Sequence, residues 1–269
     1  MKVDLKYFSG TGNSYKIIDT CKEVFVRNGC KATLLPITDK SKINEEADLI
    51  GFCFPVYAFG LPRICRKYLL NLPRLQSPIN TFILITAGDS DESGFSVKES
   101  TKLLKKKGLD VVYSEVIQMP NNWTVSMNPP TKKEAQLIIN TGVIKAKDIA
   151  QDLLNGVLHH HAFNYPSTYS KIGFYKDYYL FKWLGVSNLW RNFRIDKTCD
   201  SCGLCEKICP TDSIQIVDDL PKWFKTCEQC MRCVNFCPKQ AIFQKGEGSI
   251  KGKNTYYEPT FKPLKSKSQ

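Results

Sequence analysis

Cysteines carry most of the chemistry that this sequence offers. Eight of the 12 cysteines fall into two runs spaced C-x2-C-x2-C-x3-C-P, namely Cys199, Cys202, Cys205 and Cys209, then Cys227, Cys230, Cys233 and Cys237. Thiolate is a soft ligand suited to iron, and this spacing is the bacterial-type signature of four-iron clusters. The two runs form an internal repeat, in which Ile214 and Ile242 follow the last cysteines at the same distance. The repeat predicts two [4Fe–4S] clusters.

The tandem runs resemble two-cluster ferredoxins, in which the fourth cysteine of each run ligates the other cluster. This resemblance assigns cluster 1 to Cys199, Cys202, Cys205 and Cys237. It assigns cluster 2 to Cys209, Cys227, Cys230 and Cys233. Structural zinc is the alternative, although zinc usually takes two CxxC pairs rather than four cysteines in one run.

A second candidate site lies near the N-terminus, where a short strand runs into a loop of small and hydroxyl-bearing residues. The loop (the phosphate loop) reads Ser9-Gly10-Thr11-Gly12-Asn13-Ser14 and leads into a helical pattern. Such a loop places backbone N–H groups and the positive helix end around a phosphate. A Walker loop needs a lysine after its last glycine, and a dinucleotide fingerprint needs a small residue where Tyr15 stands. The sequence therefore predicts one phosphate monoester, held by Ser9, Thr11, Gly12, Asn13 and Ser14.

Strand and helix patterns alternate through residues 1–156. Five strands are predicted at 2–8, 31–37, 48–54, 79–86 and 110–118, and helices near 13–28, 61–72, 93–107 and 132–155. This alternation predicts an α/β fold with a doubly wound, parallel, five-stranded sheet. Ligands of such sheets bind at the carboxyl ends of the strands.

The stretch Phe8–Ser14 resembles the FMN phosphate loop of flavodoxins. With the later cysteine runs, and the stretches PVYAFGLP and MPNNW, the chain resembles bacterial and archaeal flavodoxin–ferredoxin fusion proteins. The resemblance implies FMN as a cofactor beside the two clusters. It also implies four parts, namely a flavodoxin-like FMN domain at 1–156, an aromatic and basic linker at 157–190, a small α+β two-cluster ferredoxin domain at 191–245 and a basic tail at 246–269.

Loops at the ends of the third and fourth strands are the expected neighbours of the flavin. They contribute Pro55, Val56, Tyr57, Ala58, Phe59 and Gly60, then Ala87 and Gly88. Tyr57 or Phe59 is suited to cover one flavin face, and the small residues at 87 and 88 allow close backbone approach. Ordinary packing is the alternative for both aromatic side chains, as it is for Trp123.

The linker contains two features that invite a functional interpretation. The tract His159-His160-His161 is expected to be a solvated linker, because three adjacent histidines cannot all face one ion on a helix. Phe174, Tyr178 and Phe181 have helical spacing, which predicts a helix that packs the two domains together. Binding of this basic, aromatic segment to a membrane surface is the alternative.

The formal charge of +12 needs a correction for the cofactors. Two clusters with their thiolates and one flavin phosphate would reduce it to roughly +6. The remaining excess favours an acidic redox protein as donor or acceptor. No nucleic-acid-binding module accompanies the charge, so nucleic acid is not an expected partner. The sequence has no apolar run long enough for a membrane span and no signal-peptide core, so we expect a cytoplasmic protein.

Electron transfer is the function that these features predict. FMN holds one or two electrons and each cluster passes one, so the pair connects one-electron with two-electron carriers. An iron–sulfur redox sensor that gates partner binding without turnover is the alternative. The sequence contains no Ser-His-Asp or Cys-His constellation, so no catalytic residue is assigned.

Overall fold

The computed structural model describes residues 1–37, 42–57, 59–88, 94–124, 128–163, 170–180, 188–245 and 254–263. Its main sheet consists of β1 Lys2–Tyr7, β2 Lys31–Pro36, β3 Leu49–Pro55, β4 Ile79–Ala87, β5 Leu109–Gln118 and β6 His159–His160. The strands are parallel and follow the order β2-β1-β3-β4-β5-β6. The order of the first five strands is the flavodoxin-like arrangement of a doubly wound sheet, which confirms the predicted fold class.

Helices cover both faces of the sheet, as parallel strands require. Their bounds are α1 Asn13–Arg27, α2 Arg63–Asn71, α3 Gly94–Lys105 and α4 Lys132–Leu154. On one face, Ile17 of α1 and Ile149 of α4 belong to the same buried core. On the other face, Leu69 of α2 and Leu104 of α3 are buried together. Because all six strands are parallel, their carboxyl ends lie along the same end of the sheet, between the two helical layers.

The sheet contains a sixth strand in addition to the five that the sequence predicts. β6 pairs with β5, with His159 opposite Tyr113 and His160 opposite Ser114. Beyond it, His161 Nδ1 lies 2.9 Å from Glu115 Oε1. His159 and His160 therefore form a short edge strand, which the sequence did not predict, and both stay exposed as expected for a solvated segment. Two exposed histidines lack the apolar alternation that would indicate a strand.

The linker helix α5, Lys171–Leu180, packs on the flavodoxin-like domain. Phe174 and Tyr178 are buried, as their helical spacing predicts. The ring of Tyr178 lies 4.5 Å from that of Phe95 in α3, and its hydroxyl donates to Glu99 Oε2 at 3.1 Å. Phe181 lies outside the described residues. No helix in the described part of the chain combines the length and apolarity that a membrane crossing requires.

The C-terminal module contains β7 Phe193–Ile195, α6 Leu204–Lys207, β8 Ile214–Val217, β9 Leu220–Trp223, α7 Arg232–Asn235 and β10 Ile242–Gln244. β7 pairs with β10, and β8 with β9, in antiparallel orientation. Phe193 stacks on Trp223, with ring centroids 4.9 Å apart. Ile214 and Ile242, which the sequence repeat matches, are both buried beside these rings. The module's core is thus a small apolar group between the cysteine loops.

Candidate functional site

The four cysteines assigned to cluster 1 line one cavity at the surface of the C-terminal module. Cys202 is exposed, while Cys199, Cys205 and Cys237 are half-buried. Burial raises the pKa of the Cys205 thiol to about 11, and Cys202, Cys237 and Cys199 add to the rise. The structure therefore brings Cys237, from the second run, next to three cysteines of the first run.

The four cysteines assigned to cluster 2 lie deeper, each between 5% and 9% exposed. Burial raises the pKa of Cys227 to about 12, and Cys230 and Cys209 add to the rise. Burial also raises the pKa of Cys233 well above its ordinary value, with the same neighbours contributing. Cys233 borders the cluster 1 cavity as well, so the two cysteine sets adjoin.

Hydrogen-bond donors approach the cysteine sulfurs at equivalent places in the repeat. Ser213 N donates to Cys209 Sγ at 3.2 Å, and Ala241 N donates to Cys237 Sγ at 3.4 Å. Each donor lies four residues after its cysteine. The internal repeat thus extends to hydrogen bonding, and donors to sulfur are one means by which a protein sets a cluster's potential.

The phosphate loop follows β1 at the carboxyl edge of the sheet. Gly12 adopts φ 107° directly before α1, and α1 has neither a side-chain N-cap nor an acidic residue in its first turn. Ser9, Thr11 and Ser14 are buried. Ser9 Oγ accepts a hydrogen bond from Gly12 N at 2.9 Å, and Thr11 Oγ1 accepts one from Asn122 Nδ2 at 2.7 Å.

These residues fit a phosphate monoester. Because Ser9 and Thr11 accept in the bonds just described, each hydroxyl keeps its hydrogen to donate to a phosphate oxygen. The uncapped turn of α1 adds backbone N–H groups and the positive end of the helix dipole. Ser14 Oγ bonds to Thr86 Oγ1 at 2.7 Å. Asn13 Nδ2 donates to the carbonyl oxygen of Pro120 at 2.8 Å, so this side chain fixes the loop after β5 instead of capping α1.

The cluster 2 loop, residues 227–233, lies directly on the phosphate loop. A Cβ added to Gly10 would overlap the carbonyl oxygen of Cys230, so the two backbones are in contact. Arg232 is 5% exposed, and its guanidinium donates to the carbonyl oxygens of Ser9 at 2.6 Å and Gly10 at 3.0 Å. One buried cation therefore joins the two candidate cofactor sites.

Glu228 anchors the same loop to the N-terminus of α2. The backbone N–H groups of Arg63 and Ile64, where α2 begins without a side-chain cap of its own, act to lower the pKa of the Glu228 carboxylate. Glu228 Oε1 also lies 3.4 Å from Arg63 Nε. Burial raises the pKa of Glu228 despite the attraction of Arg63. The cluster 2 loop thus bridges the loops that follow β1 and β3.

A C-terminal segment, residues 254–263, covers the outer side of the phosphate loop. Glu258 N donates to the carbonyl oxygen of Thr11 at 2.8 Å. A Cβ added to Gly12 would overlap the side chain of Glu258 and lie 2.8 Å from Phe261 Cβ. The segment is also joined to α7, because Tyr256 N donates to the side-chain Oδ1 of Asn235 at 2.9 Å. The segment therefore fastens the phosphate loop to the C-terminal module.

The loop expected to contact the flavin after β3 lies at the same edge of the sheet. Val56 N donates to the carbonyl oxygen of Thr86 at 3.0 Å, directly after Pro55. Tyr57 and Gly60 exchange backbone hydrogen bonds of 2.9 and 3.1 Å. Ala58 lies outside the described residues. These positions place the loop beside the phosphate loop, and its contacts with a flavin stay a prediction.

Four further residues, two aromatic and two small, are predicted from the sequence to lie near this edge. The ring of Phe59 lies 6.1 Å from that of Phe174 in α5. Trp123 packs against the core of the C-terminal module. Ala87 is buried, and a Cβ added to Gly88 would lie 3.0 Å from Asn121 Nδ2. Phe59 and Trp123 thus have the packing contacts that were the alternative to flavin stacking.

Sequence reasoning did not identify Arg232 and Glu228 as functional residues. A signal for Arg232 was present, because the first cysteine run has Leu204 at the equivalent position. A charged residue at an otherwise apolar repeat position marks a place where one loop meets a different surface. Glu228 had no such signal, since its counterpart Asp200 is acidic too and stays exposed.

Comparison with known proteins identifies the C-terminal module. A family model described as a 4Fe–4S dicluster domain matches residues 198–242. These residues therefore form a 4Fe–4S domain, as their cysteine spacing predicts, which favours iron–sulfur over the zinc alternative. No curated protein matches the chain.

Solved structures of low similarity match the N-terminal part. A flavodoxin of Streptococcus pneumoniae TIGR4 is 14% identical and covers 58% of this chain and 100% of its own, with a TM-score of 0.41. Flavodoxin 2 of Bacillus cereus is 15% identical, with 58% and 99% covered and a TM-score of 0.42. A putative quinone reductase of Klebsiella pneumoniae is 10% identical, with 65% and 93% covered and a TM-score of 0.42. At such scores the flavodoxin-like assignment rests on the strand order alone.

Proposed function

We propose that this chain is an electron-transfer protein that binds FMN at the phosphate loop and two [4Fe–4S] clusters at its cysteine runs. The observation that carries this proposal is the backbone contact between Cys230 in the cluster 2 loop and Gly10 in the phosphate loop. When bound, FMN exchanges one or two electrons and each cluster exchanges one. The chain would thereby connect one-electron with two-electron carriers.

The burial of the cysteines supports an order for the two clusters. Cys202 of cluster 1 is exposed, whereas the cluster 2 cysteines are between 5% and 9% exposed, and Cys230 among them packs in a core of the flavodoxin-like domain. Cluster 1 is then the outer site, which partners can approach. Cluster 2 is the inner site, next to the FMN phosphate.

The chain's own residues position the cofactors in this proposal. Ser9 and Thr11 donate to the phosphate, and α1 contributes its N-terminal N–H groups. Arg232 and Glu228 hold the cluster 2 loop against the two helix-initiating loops. The remaining flavin neighbours are those expected from the sequence, namely Pro55, Val56, Tyr57, Ala58, Phe59, Gly60, Ala87 and Gly88.

An acidic redox protein is the partner that the charges of the module support. Between residues 188 and 245 the exposed basic side chains are Arg191, Arg194, Lys197, Lys207, Lys222, Lys225, Lys239 and Lys245. The exposed acidic ones are Asp200, Asp218 and Asp219. Such an excess attracts an acidic partner, and the association rate should fall as salt is added.

Cofactor analysis of anaerobically purified protein tests the proposal. We expect about eight irons and one FMN per chain, with the flavin absorbance bleached when a low-potential donor reduces the clusters. The double variant Ser9→Ala, Thr11→Ala should keep its iron and lose FMN affinity at least about tenfold, because each hydroxyl donates to a charged group. Thr141→Ala, which removes an exposed hydroxyl on α4, is the matched control.

Two outcomes would count against this function. Eight irons without FMN, even after FMN is added, would remove the flavin from the proposal. A flavin that stays oxidised while the clusters are reduced would remove the internal electron path. In either case the redox sensor would become the leading function. A sensor would be identified by partner binding that depends on the clusters but involves no electron transfer.

A further inference from the structure

Tyr57 places a hydroxyl group at the contact between the two cofactor sites. Its Oη atom is buried and has no hydrogen-bond partner among the described residues. A Cβ added to Gly10 would lie 2.7 Å from this oxygen and would also overlap the carbonyl oxygen of Cys230. The ring is fixed edge-on to Phe8, with centroids 6.3 Å apart. The hydroxyl is therefore held beside a ligand of cluster 2.

Trp223 places a second donor among the cysteines assigned to cluster 2. It is 7% exposed and shares the module's core with Cys209, Cys227 and Cys233. Its Nε1 atom is buried and has no partner in the described part of the chain. Its N–H group therefore lies within the buried core that contains three of the four cysteines assigned to cluster 2.

Neither donor has a hydrogen-bond partner among the residues that the structure describes, although a buried polar group is nearly always hydrogen-bonded in a folded protein. Their neighbours explain this. Each lies beside a cysteine assigned to cluster 2, and a bound cluster presents thiolate and sulfide sulfur atoms as acceptors. The described residues that line the cluster 1 cavity include neither a tyrosine nor a tryptophan.

We propose that Tyr57 Oη and Trp223 Nε1 donate hydrogen bonds to sulfur atoms of cluster 2 and thereby raise its reduction potential. Reduction adds an electron whose charge is spread over the sulfur atoms, and donors to sulfur stabilise that charge. The inference rests on the part of the proposed function that assigns a cluster to Cys209, Cys227, Cys230 and Cys233. It does not require FMN.

The two proposed donors come from different domains of the chain. Trp223 belongs to the C-terminal module, whereas Tyr57 belongs to the flavodoxin-like domain. The potential of the inner cluster therefore depends on a residue outside the module that ligates it. Contact between the two domains raises the reduction potential of cluster 2 and leaves the potential of cluster 1 unchanged.

Redox titration of the full-length protein, followed by EPR, tests this inference. Tyr57→Phe and Trp223→Phe keep the aromatic rings and remove the donors. Each should make the reduction of one cluster up to about tenfold less favourable, a shift of about 59 mV for a one-electron couple. The potential of the other cluster should not change. Tyr256→Phe is the matched control, since its hydroxyl is also buried without a partner in the described ranges of the chain but lies on the C-terminal segment.

The results separate this inference from the proposed function. A wild-type protein with fewer than eight irons would remove the two-cluster assignment, and this inference with it. Eight irons with both potentials unmoved in Tyr57→Phe and Trp223→Phe would overturn the inference alone. Equal shifts of both clusters, or the same shift in Tyr256→Phe, would also overturn it, because they would mark a general structural effect.

Discussion

Arg232 in the cluster 2 loop donates a hydrogen bond of 2.6 Å to the carbonyl oxygen of Ser9, which lies 223 positions earlier in the chain. The same guanidinium donates to the carbonyl oxygens of Gly10 and Ile208, at 3.0 and 2.7 Å. Its Cζ lies 5.4 Å from the ring centre of Phe261. Nε, Nη1 and Nη2 of the planar guanidinium each donate to a different carbonyl oxygen, so Arg232 fixes the phosphate loop from the side of the iron–sulfur module.

The substitution Arg232→Lys tests this role. A lysine has one nitrogen in place of the three from which Arg232 donates, so it cannot occupy all three donor positions, and each buried acceptor left unpaired costs about 1–3 kcal/mol. We expect the free energy of unfolding to fall by about 2–3 kcal/mol and FMN affinity to fall about tenfold, by anaerobic urea unfolding and FMN titration. Arg27→Ala, which breaks an exposed pair with Glu23, should cost less than about 1 kcal/mol. Unchanged FMN affinity in Arg232→Lys would contradict the assigned role.

Gly10 is needed where the two backbones touch. In Gly10→Ala the new Cβ would overlap a backbone carbonyl oxygen of Cys230, which cannot move aside as a side chain would. Overpacking of this kind costs about 1–3 kcal/mol, and we expect FMN content to fall as well. Gly29→Ala is the control, because Gly29 has φ +79° and no heavy atom within 4 Å of an added Cβ. It should lose about 1–2 kcal/mol through backbone strain and keep its FMN.

Tyr7, at the end of β1, should make the stability of the folded protein depend on pH under alkaline conditions. Burial raises the pKa of Tyr7 to about 12, and the neighbouring Tyr15 adds to the rise. The unfolded phenol ionises near pH 10, so between about pH 10 and pH 12 the folded state holds a proton that the unfolded state has lost. Stability should therefore fall as the pH rises, by about 1.4 kcal/mol at pH 11 from this residue.

The phenylalanine variant isolates that contribution. Tyr7→Phe keeps the ring and removes the titrating group, so its stability should fall less than that of the wild type between pH 9 and pH 11. Urea unfolding at both pH values measures the difference, with the exposed Tyr257 changed to phenylalanine as control. Equal losses in the wild type and in Tyr7→Phe would show that Tyr7 does not carry the alkaline dependence.

Local sequence pattern was enough to predict the parallel α/β fold class and the 4Fe–4S domain, but not the burial of β1. The stretch Lys2–Tyr7 alternates polar and apolar residues, which is typical of a strand with one exposed face. In the structure Asp4 and Lys6 are 1% and 2% exposed. They pair at 2.9 Å, and Asp4 also accepts a hydrogen bond from Asn44 N at 2.8 Å. The compensation comes from a distant loop, so no local period reveals it.

The contact between the domains could not be predicted from the sequence either, because it joins residues that are far apart in the chain. The cysteine spacing predicts ligands because three of the four cysteines of each set lie within one short loop. Arg232 and Glu228 instead act on backbone groups of Ser9 and Arg63, which are more than 150 positions away. Side-chain bonds to distant backbone leave no requirement on the residue type of the partner, and hence no motif.

Phe261 closes the phosphate loop from the side of the C-terminal segment. Its ring is 5% exposed, and its centroid lies 5.6 Å from that of Tyr15 and 6.3 Å from that of Phe236. Phe261→Ala would remove the aromatic bridge between α1 and the module, at a cost of about 3 kcal/mol for a buried phenylalanine. Because the segment would then open more often, FMN release should accelerate about tenfold, as measured by the recovery of free-flavin fluorescence after dilution. Lys262→Ala, at the exposed neighbouring position, should release FMN at the wild-type rate, and an unchanged rate in Phe261→Ala would reduce the segment to a packing element.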